Sequence, residues 1–365
     1  MSELSINCKN ELAIVLPSLD PDSKFQNVVN GLVEEGFSNI IIVDDGSSTD
    51  NLHWFEEAAA YPQCTVLHHG INKGKGRALK TAFGYITDNL PDIKGAITID
   101  GDGQHLTKDI IACGERMLLA GDKVILGCRD FNAPGVPPRS VAGNKTTSFL
   151  FRLCYGIKLS DTQTGLRAIP ADYLSDFCHI EGERFEYETN MLLQMKRNGI
   201  DFEEQPIETV YDPDDYSSHY NAFKDSWRIF KVMFKFIASS LCSTLIDLLV
   251  FYLCMRFGAA AFGKLAELVS TVIARVCSSF VNFNANKSIV FKKQSDYKKT
   301  MLRYYCVAIP QMLISAGCVT ILNRLLSNTV PIIATVIKFA VDICLFFISY
   351  RIQREWVFSE KKAPG

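Results

Sequence analysis

A chain of 365 residues is long for one domain, and 48% hydrophobic residues with a mean hydropathy of +0.09 is high for a soluble enzyme. Its 38 Lys and Arg against 40 Asp and Glu leave a net charge of −2, and no basic stripe crosses the first domain, which excludes nucleic acid as the expected partner. The 12 cysteines include no C-x-x-C pair, and Cys242, Cys254, Cys277, Cys318 and Cys344 fall inside apolar stretches, as reduced thiols acting as small hydrophobes would.

Met1 to Glu11 is polar and lacks the apolar core of a signal peptide, so the first domain is expected to stay in the cytoplasm. Ala13-Ile14-Val15-Leu16 and Ile40-Ile41-Ile42-Val43 are continuous apolar runs of the kind buried in a parallel sheet. The first breaks at Pro17-Ser18-Leu19-Asp20-Pro21-Asp22 and the second at Asp44-Asp45-Gly46-Ser47-Ser48-Thr49-Asp50. Between the runs, Lys24 to Gly36, Asp50 to Tyr61 and Lys75 to Asn89 have helical length and spacing, giving a β-α-β-α series. A third apolar run, Ala96-Ile97-Thr98-Ile99, ends in Asp100-Gly101-Asp102-Gly103-Gln104-His105. Alone, such an Asp-Gly-Asp is most often a turn. In an open α/β sheet, however, ligands collect at the carboxyl ends of the strands, where Asp20, Asp45, Asp100 and Asp102 would converge. Such an acidic cleft calls for a cation and suits a diphosphate that shares it.

These residues resemble the family 2 glycosyltransferases of GT-A fold, and within them the polyprenol-phosphate (dolichol-phosphate) hexosyltransferases. The resemblance is carried by Leu16-Pro17, Val43-Asp44-Asp45-Gly46-Ser47-Ser48-Thr49-Asp50, Asn72-Lys73-Gly74-Lys75-Gly76-Arg77-Ala78-Leu79 and Asp100-Gly101-Asp102-Gly103-Gln104-His105. Gly127-Cys128-Arg129, Asp161-Thr162-Gln163-Thr164-Gly165-Leu166-Arg167 and Phe185-Glu186-Tyr187-Glu188 follow in the family's order. The resemblance implies an α/β, Rossmann-like, mainly parallel sheet over residues 1–219. It implies nucleotide-sugar contacts from Pro17, Asp20, Val43, Asp45, Lys75, Asp100 and Arg167, and a Mg2+ or Mn2+ held by Asp102 with Gln104 and Asp100. Catalytic candidates are Asp102, Asp161, Gln163, Arg129 and Arg139, the arginines because a guanidinium fork matches phosphate oxygens. Asp161 could orient a sugar hydroxyl, act as base or cap a helix. Gly74-Lys75-Gly76 could meet phosphate or only open a helix, while His105, Glu186 and Glu188 are either sugar contacts or structural groups.

Beyond Tyr220 the chain changes character. Residues 220–235 mix Lys224, Arg228, Lys231 and Lys235 with Phe223, Trp227, Phe230 and Phe234, as an interfacial amphipathic helix would. Four apolar spans are expected at about 236–255, 262–281, 304–322 and 330–350, each long enough to cross a bilayer. Lys287, Lys292, Lys293, Lys298, Lys299 and Arg303 lie between the second and third, and Arg351, Arg354, Lys361 and Lys362 after the fourth. By the positive-inside rule both segments and both termini are cytoplasmic. Ala274-Arg275-Val276-Cys277-Ser278-Ser279-Phe280-Val281-Asn282-Phe283-Asn284-Ala285-Asn286-Lys287 with Val290-Phe291 resembles the GtrA family, all-α four-helix membrane domains linked to moving polyprenyl-phosphate sugars. Gln353-Arg354-Glu355-Trp356-Val357-Phe358 echoes it, as two-helix repeats or as two similar anchors would. Asp247, Glu267, Arg275, Lys338 and Asp342 lie inside the expected spans and are either structural ion pairs or a polar path for a lipid headgroup, with Arg275 the first candidate to meet its phosphate.

The expectation is therefore an integral membrane protein that moves a hexose, with inversion, from a nucleotide sugar of the UDP-glucose or GDP-mannose class to polyprenyl phosphate at the cytoplasmic face. Its GtrA-like domain, residues 236–358, would help flip the product toward a cell wall or surface polysaccharide. Partners are the nucleotide sugar, polyprenyl phosphate and the lipid bilayer, with no nucleic acid, and a homo-oligomer stays open. The competing readings are a processive polysaccharide synthase, against which stands the lack of a Q-x-x-R-W segment, and a non-catalytic lipid-sugar transporter with a nucleotide-sugar-sensing domain.

Overall fold

The computed structural model describes residues 7–133, 136–208, 222–262, 266–291, 296–325 and 331–358. It divides into two compact units, one of Met1–Arg152 with Ile157–Asp225, the other of Leu153–Gly156 with Ser226–Gly365. In the first, α1 (Cys8–Glu11) leads into β1 (Leu12–Ser18), followed by α2 (Ser23–Glu34), β2 (Ile40–Asp44), α3 (Leu52–Ala59), β3 (Cys64–His68) and α4 (Lys75–Asn89). The chain continues through β4 (Gly95–Thr98), α5 (Thr107–Ala120), β5 (Val124–Arg129), α6 (Pro138–Leu150), β6 (Arg167–Pro170), α7 (Ala171–Cys178), α8 (Glu186–Asn198) and β7 (Phe202–Ile207).

The seven strands form one sheet in the order β3-β2-β1-β4-β6-β5-β7. Every pairing is parallel except those of β6, which lies antiparallel to both β4 and β5. Strands β1, β2 and β4 read as unbroken apolar runs because both of their faces are covered: every residue from Leu12 to Leu16 and from Ile40 to Val43 is buried. One core layer packs Phe25, Val29 and Leu32 of α2 and Phe55 of α3 against Ile14, Leu16, Ile40 and Ile42, with the Phe25 and Phe55 rings 5.4 Å apart. Helix α2 starts where Asp22 caps it, accepting from the Lys24 N–H at 2.8 Å.

The second unit consists of α9 (Ala222–Phe262), α10 (Ala266–Ala285), α11 (Tyr297–Leu325, with Pro310 inside it) and α12 (Pro331–Ile352). The expected interfacial helix and first span run together as α9, since neither Gly nor Pro stands between Ala222 and Phe257 to stop a helix. Among the described residues, Phe234–Phe257 is both long and apolar enough to cross a membrane. Polarity is arranged opposite to that of a water-soluble bundle. Leu241, Leu245, Leu248, Phe257, Ile309, Leu313 and Ile321 face outward, whereas Ser239, Ser243, Ser270, Ser278, Asn286, Ser349 and Gln353 are buried.

Helices α10 and α12 each end in a π-helical turn, Asn286–Val290 and Gln353–Val357. The two turns meet: Asn286 Nδ2 donates to Gln353 Oε1 at 3.1 Å across a spacing of 67 residues, and Phe291 and Phe358 stack at 5.0 Å. Their inner bonds match as well, Asn286 to Asn282 Oδ1 at 2.7 Å and Gln353 to Ser349 Oγ at 2.9 Å. The likeness of the two sequence endings thus has a structural counterpart.

Gly95 sits where β4 meets β6, and a Cβ there would fall inside contact distance of the Ile169 carbonyl oxygen and the Met117 side chain. Backbone cannot retreat, so the clash outweighs the β-propensity gained. Gly95→Ala should destabilise the protein by about 1–3 kcal/mol, read as a lower Tm of the purified full-length chain.

Candidate active site

Three strand ends and three helix starts border a cavity of about 500 Å3 in the first unit, lined by Pro17, Asp20, Asp45, Lys75, Asp100, Asp102 and Gln104 among others. Lys75 is the first residue of α4, and its Nζ lies 2.6 Å from Asp100 Oδ1 and 3.0 Å from Glu188 Oε1 at the start of α8. Burial disfavours the ammonium, but Asp100 and Glu188 outweigh it and raise the Lys75 pKa above its ordinary value. Burial would likewise push the Asp100 carboxyl up, yet Lys75 and His105, whose Nε2 is 3.5 Å away, hold it well below the usual carboxylate range. Asp102 moves the other way, raised by burial and by the neighbouring Asp100 charge. One of its oxygens accepts the Gln104 N–H at 3.0 Å.

The loops around this cleft are held by acids. Asp45 accepts from the Lys73 and Gly74 N–H groups at 3.0 and 2.6 Å, with His69 Nδ1 at 2.7 Å. This fixes the segment that delivers Lys75. Asp20, at φ 48°, accepts from the Ser48 N–H and hydroxyl at 2.8 and 2.7 Å and from Asn51 at 3.1 Å, tying the β1 and β2 loops together. A left-handed Asp is tolerated because its short side chain satisfies the local backbone. Gly74 and Gly76 serve close packing: a Cβ on either would meet the backbone of Glu183 and side-chain atoms of Arg184 or Tyr187.

Several expected site residues lie elsewhere. Val43 is buried within β2 and does not line the cavity. Arg167, expected at the nucleotide sugar, is buried: it donates to the Thr164 carbonyl at 3.1 Å and the Glu188 carbonyl at 2.8 Å, and burial lowers its pKa. Its place in the antiparallel strand β6 turns it into the protein. Asp161 is fully buried and grips Arg129, Nε to Oδ2 at 2.6 Å and Nη2 to Oδ1 at 3.1 Å, while also accepting the Gln163 N–H at 3.0 Å. Its oxygens are committed to holding Arg129 and the 161–163 turn. The side chain of Arg139 lies outside the described residues. Arg184 and Phe185 line the cavity without having been expected. Their signal was indirect, the two glycines of Gly74-Lys75-Gly76 against which residues 183–187 pack.

Among the described residues no group of three or more His, Cys, Asp or Glu forms a metal cage. Asp102, raised by burial and by the Asp100 charge and lying beside Gln104, fits instead an ion bound by one or two carboxylates and completed by substrate phosphates.

The sheet is Rossmann-like and mainly parallel, with the cleft at its strand ends. The model of Glycosyl transferase family 2 matches residues 14–177, and that of the GtrA/DPMS transmembrane domain matches residues 235–358. An uncharacterised protein of Methanocaldococcus jannaschii is 30% identical over 233 residues, covering 63% of this chain and 92% of that one. UDP-N-acetylglucosamine–dolichyl-phosphate N-acetylglucosaminyltransferase of Methanococcus voltae is 28% identical over 215 residues, 54% of this chain and 85% of that protein. Among solved structures, glucosyl-3-phosphoglycerate synthase of Mycobacterium tuberculosis overlays with a TM-score of 0.43 at 15% identity, over 56% of this chain and 73% of that one. The chain belongs to glycosyl transferase family 2 and is a membrane protein with a GtrA/DPMS domain behind its transferase domain.

Gly165 leaves room for Asp100: a Cβ there would overlap the Asp100 carboxylate, while the Gly165 carbonyl is pinned by the Thr98 hydroxyl at 2.7 Å. Gly165→Ala should displace Asp100 from Lys75 and lower the initial rate of sugar transfer about 100-fold, the cost of a misplacement near 1 Å. Rates of matched wild-type and variant membranes check it.

Proposed function

We propose that this glycosyltransferase moves a hexose from a nucleoside diphosphate sugar to polyprenyl phosphate at the cytoplasmic membrane face, with inversion, and that its membrane domain helps flip the product. The observation that carries this reading is the cleft in which Lys75, Asp100, Asp102 and Gln104 meet at the strand ends. Residues 1–219 would be the catalytic domain, 220–235 the interfacial stretch and 236–358 the four-span domain. The Lys- and Arg-rich segments after the second and fourth spans support cytoplasmic termini.

A lipid phosphate is ionised at neutral pH, so its oxygen can attack the anomeric carbon without a strong base. The new carbon–oxygen bond forms on the face opposite the departing diphosphate, which leaves with the electrons of the broken glycosyl bond. The protein's work is to orient the reactants and to receive that charge. Lys75 would meet the diphosphate as a preset cation, Asp45 and Asp20 would keep the nucleoside-side loops in place, and Arg129, oriented by Asp161, would face the acceptor phosphate. Bound at Asp102, Gln104 and Asp100, Mg2+ or Mn2+ would supply further positive charge to the leaving group.

The test incubates membranes carrying the protein with undecaprenyl phosphate, Mg2+ or Mn2+, and separately labelled UDP-glucose, GDP-mannose and UDP-N-acetylglucosamine. The last donor is added because the Methanococcus relative is named for it. Label should enter the lipid phase from one donor and fall at least about 100-fold in Asp102→Ala. Nucleotide binding without lipid labelling from any donor would overturn the reading in favour of a sensor or transporter.

A further inference from the structure

The second unit includes Leu153–Gly156, although the chain on both sides of that stretch, up to Arg152 and from Ile157, belongs to the first. The stretch completes a π-helical turn, Phe151–Tyr155, that follows α6, and the Ile157 N–H donates back to the Phe151 carbonyl at 3.3 Å. Two arginines at the end of α12 receive it. Arg354 sits over the Tyr155 ring, its guanidinium carbon 3.9 Å from the ring centroid, and Tyr155 is buried. A planar cation stacked on an aromatic face is favourable, the more so when shielded from water. Gly156, at φ 68°, lies against Arg351: a Cβ on it would overlap the Arg351 guanidinium, which Glu355 holds at 3.3 Å. Only glycine takes both that backbone and that approach. Basic residues that served only to flank a membrane span would need no such partners.

A short way beyond Gly156 comes Asp161, the carboxylate that grips Arg129. Little slack separates them. Ile157 and Leu159 are buried, Asn144 of α6 donates to the Ser160 carbonyl at 2.6 Å, and the Asn144 amide oxygen accepts the Thr162 N–H at 3.4 Å. Helix α6 and the 157–162 stretch are thus laced together on both sides of Asp161, and the turn that joins them is the piece that Arg351 and Arg354 hold. Asp161 is fully buried, so its place is set by this backbone and not by solvent. A shift of the turn passes along a short, buried, hydrogen-bonded stretch to the Asp161 oxygens, and from them to the Arg129 guanidinium.

We infer that Arg354, with Arg351 beside it, is a positioning residue for sugar transfer: by holding residues 155–156, the end of α12 sets Asp161 and through it Arg129. The membrane domain is then a working part of the transferase on its acceptor side and not an anchor alone. The inference rests on the reading that Arg129 faces the acceptor phosphate, and it leaves nucleotide binding in the cleft independent of α12.

The full-length protein in lipid nanodiscs is compared as wild type, Arg354→Ala, Arg354→Lys, Tyr155→Leu and the double variant of Arg354→Ala with Tyr155→Leu. Initial rates are taken with citronellyl phosphate as acceptor and each of the three labelled donors, UDP and GDP binding is titrated with Mn2+ present, and hydrogen exchange is read by mass spectrometry. Arg354→Ala should lower kcat/KM for the acceptor about tenfold, within the roughly 100-fold cost of a misplacement near 1 Å, while the nucleotide Kd keeps its wild-type value. Amides 157–162 should exchange faster, with α2 and α4 unchanged. Arg354→Lys, which keeps a cation over the ring, should recover part of the rate. Tyr155→Leu should match Arg354→Ala, and the double variant should be no worse than either, since both remove one contact. If the pair only stabilised the fold, nucleotide affinity and acceptor rate would fall together and exchange would rise throughout the domain. That result, wild-type acceptor kinetics in Arg354→Ala, unchanged exchange at 157–162, or additive losses in the double variant would each overturn the positioning role. Faster exchange at 157–162 in Arg354→Ala, with no labelling of the lipid by the wild type, would keep the coupling while counting against prenyl phosphate as acceptor.

Discussion

The Lys75 ammonium, set between Asp100 and Glu188, is the contact on which the transferase domain depends. It joins the end of β4 and the start of α4, consecutive elements, to the distant start of α8. Removing either carboxylate would leave a mostly buried cation half paired, and removing the lysine would leave two acids facing each other next to Asp102. The surrounding geometry exists to place that nitrogen. Asp45 fixes the loop before it through two backbone N–H groups, and Gly74 and Gly76 let α4 approach the 183–187 segment closely enough for Glu188 to reach. Arg77 and Lys80 of α4 then bind Glu183, in the segment just before α8, at 2.8 and 3.1 Å, holding that segment against α4.

The membrane domain solves a different problem. With no water to drive apolar groups inward, its helices bury serines, Asn286 and Gln353, and present leucines and phenylalanines outward. The pairing of Asn286 with Gln353 across two matching π-helical turns is such a buried polar contact, and the Phe291–Phe358 stack seals one end of it. Within the two turns Asn286 and Val290, and Gln353 and Val357, are the buried residues.

What could be read from the chain, and what could not, divides by the range of the interaction. Ala13 to Leu16 and Ile40 to Val43 announced themselves because a strand buried on both faces has no polar residue to spare, and Asp100-Gly101-Asp102 stood out because it ended such a strand. Strand β6 gave no such sign. It is four residues long, ends in Pro170, and is antiparallel only because of where the chain re-enters the sheet, so Arg167 read as a site residue when it points into the core. Glu188 and Arg184 were underweighted for the same reason: their place in the cleft depends on α8 packing across α4, a contact no local pattern encodes. Asp161 shows the limit for chemistry. Its sequence context allowed a base, a cap or a sugar contact, and only the bidentate grip on Arg129 separates these.

The two domains are unbalanced in charge in opposite senses. In the cleft, burial and the neighbouring Asp100 charge raise Asp102 although Lys75 pairs with Asp100, an imbalance that a bound cation would relieve. In the bundle, Arg275 is mostly exposed, with its Nε 3.6 Å from Asp247, which also accepts the Ser278 hydroxyl. A folded protein tolerates such residues where a ligand completes them, since each costs stability when left alone. A nucleotide sugar brought in with a divalent ion answers the first imbalance.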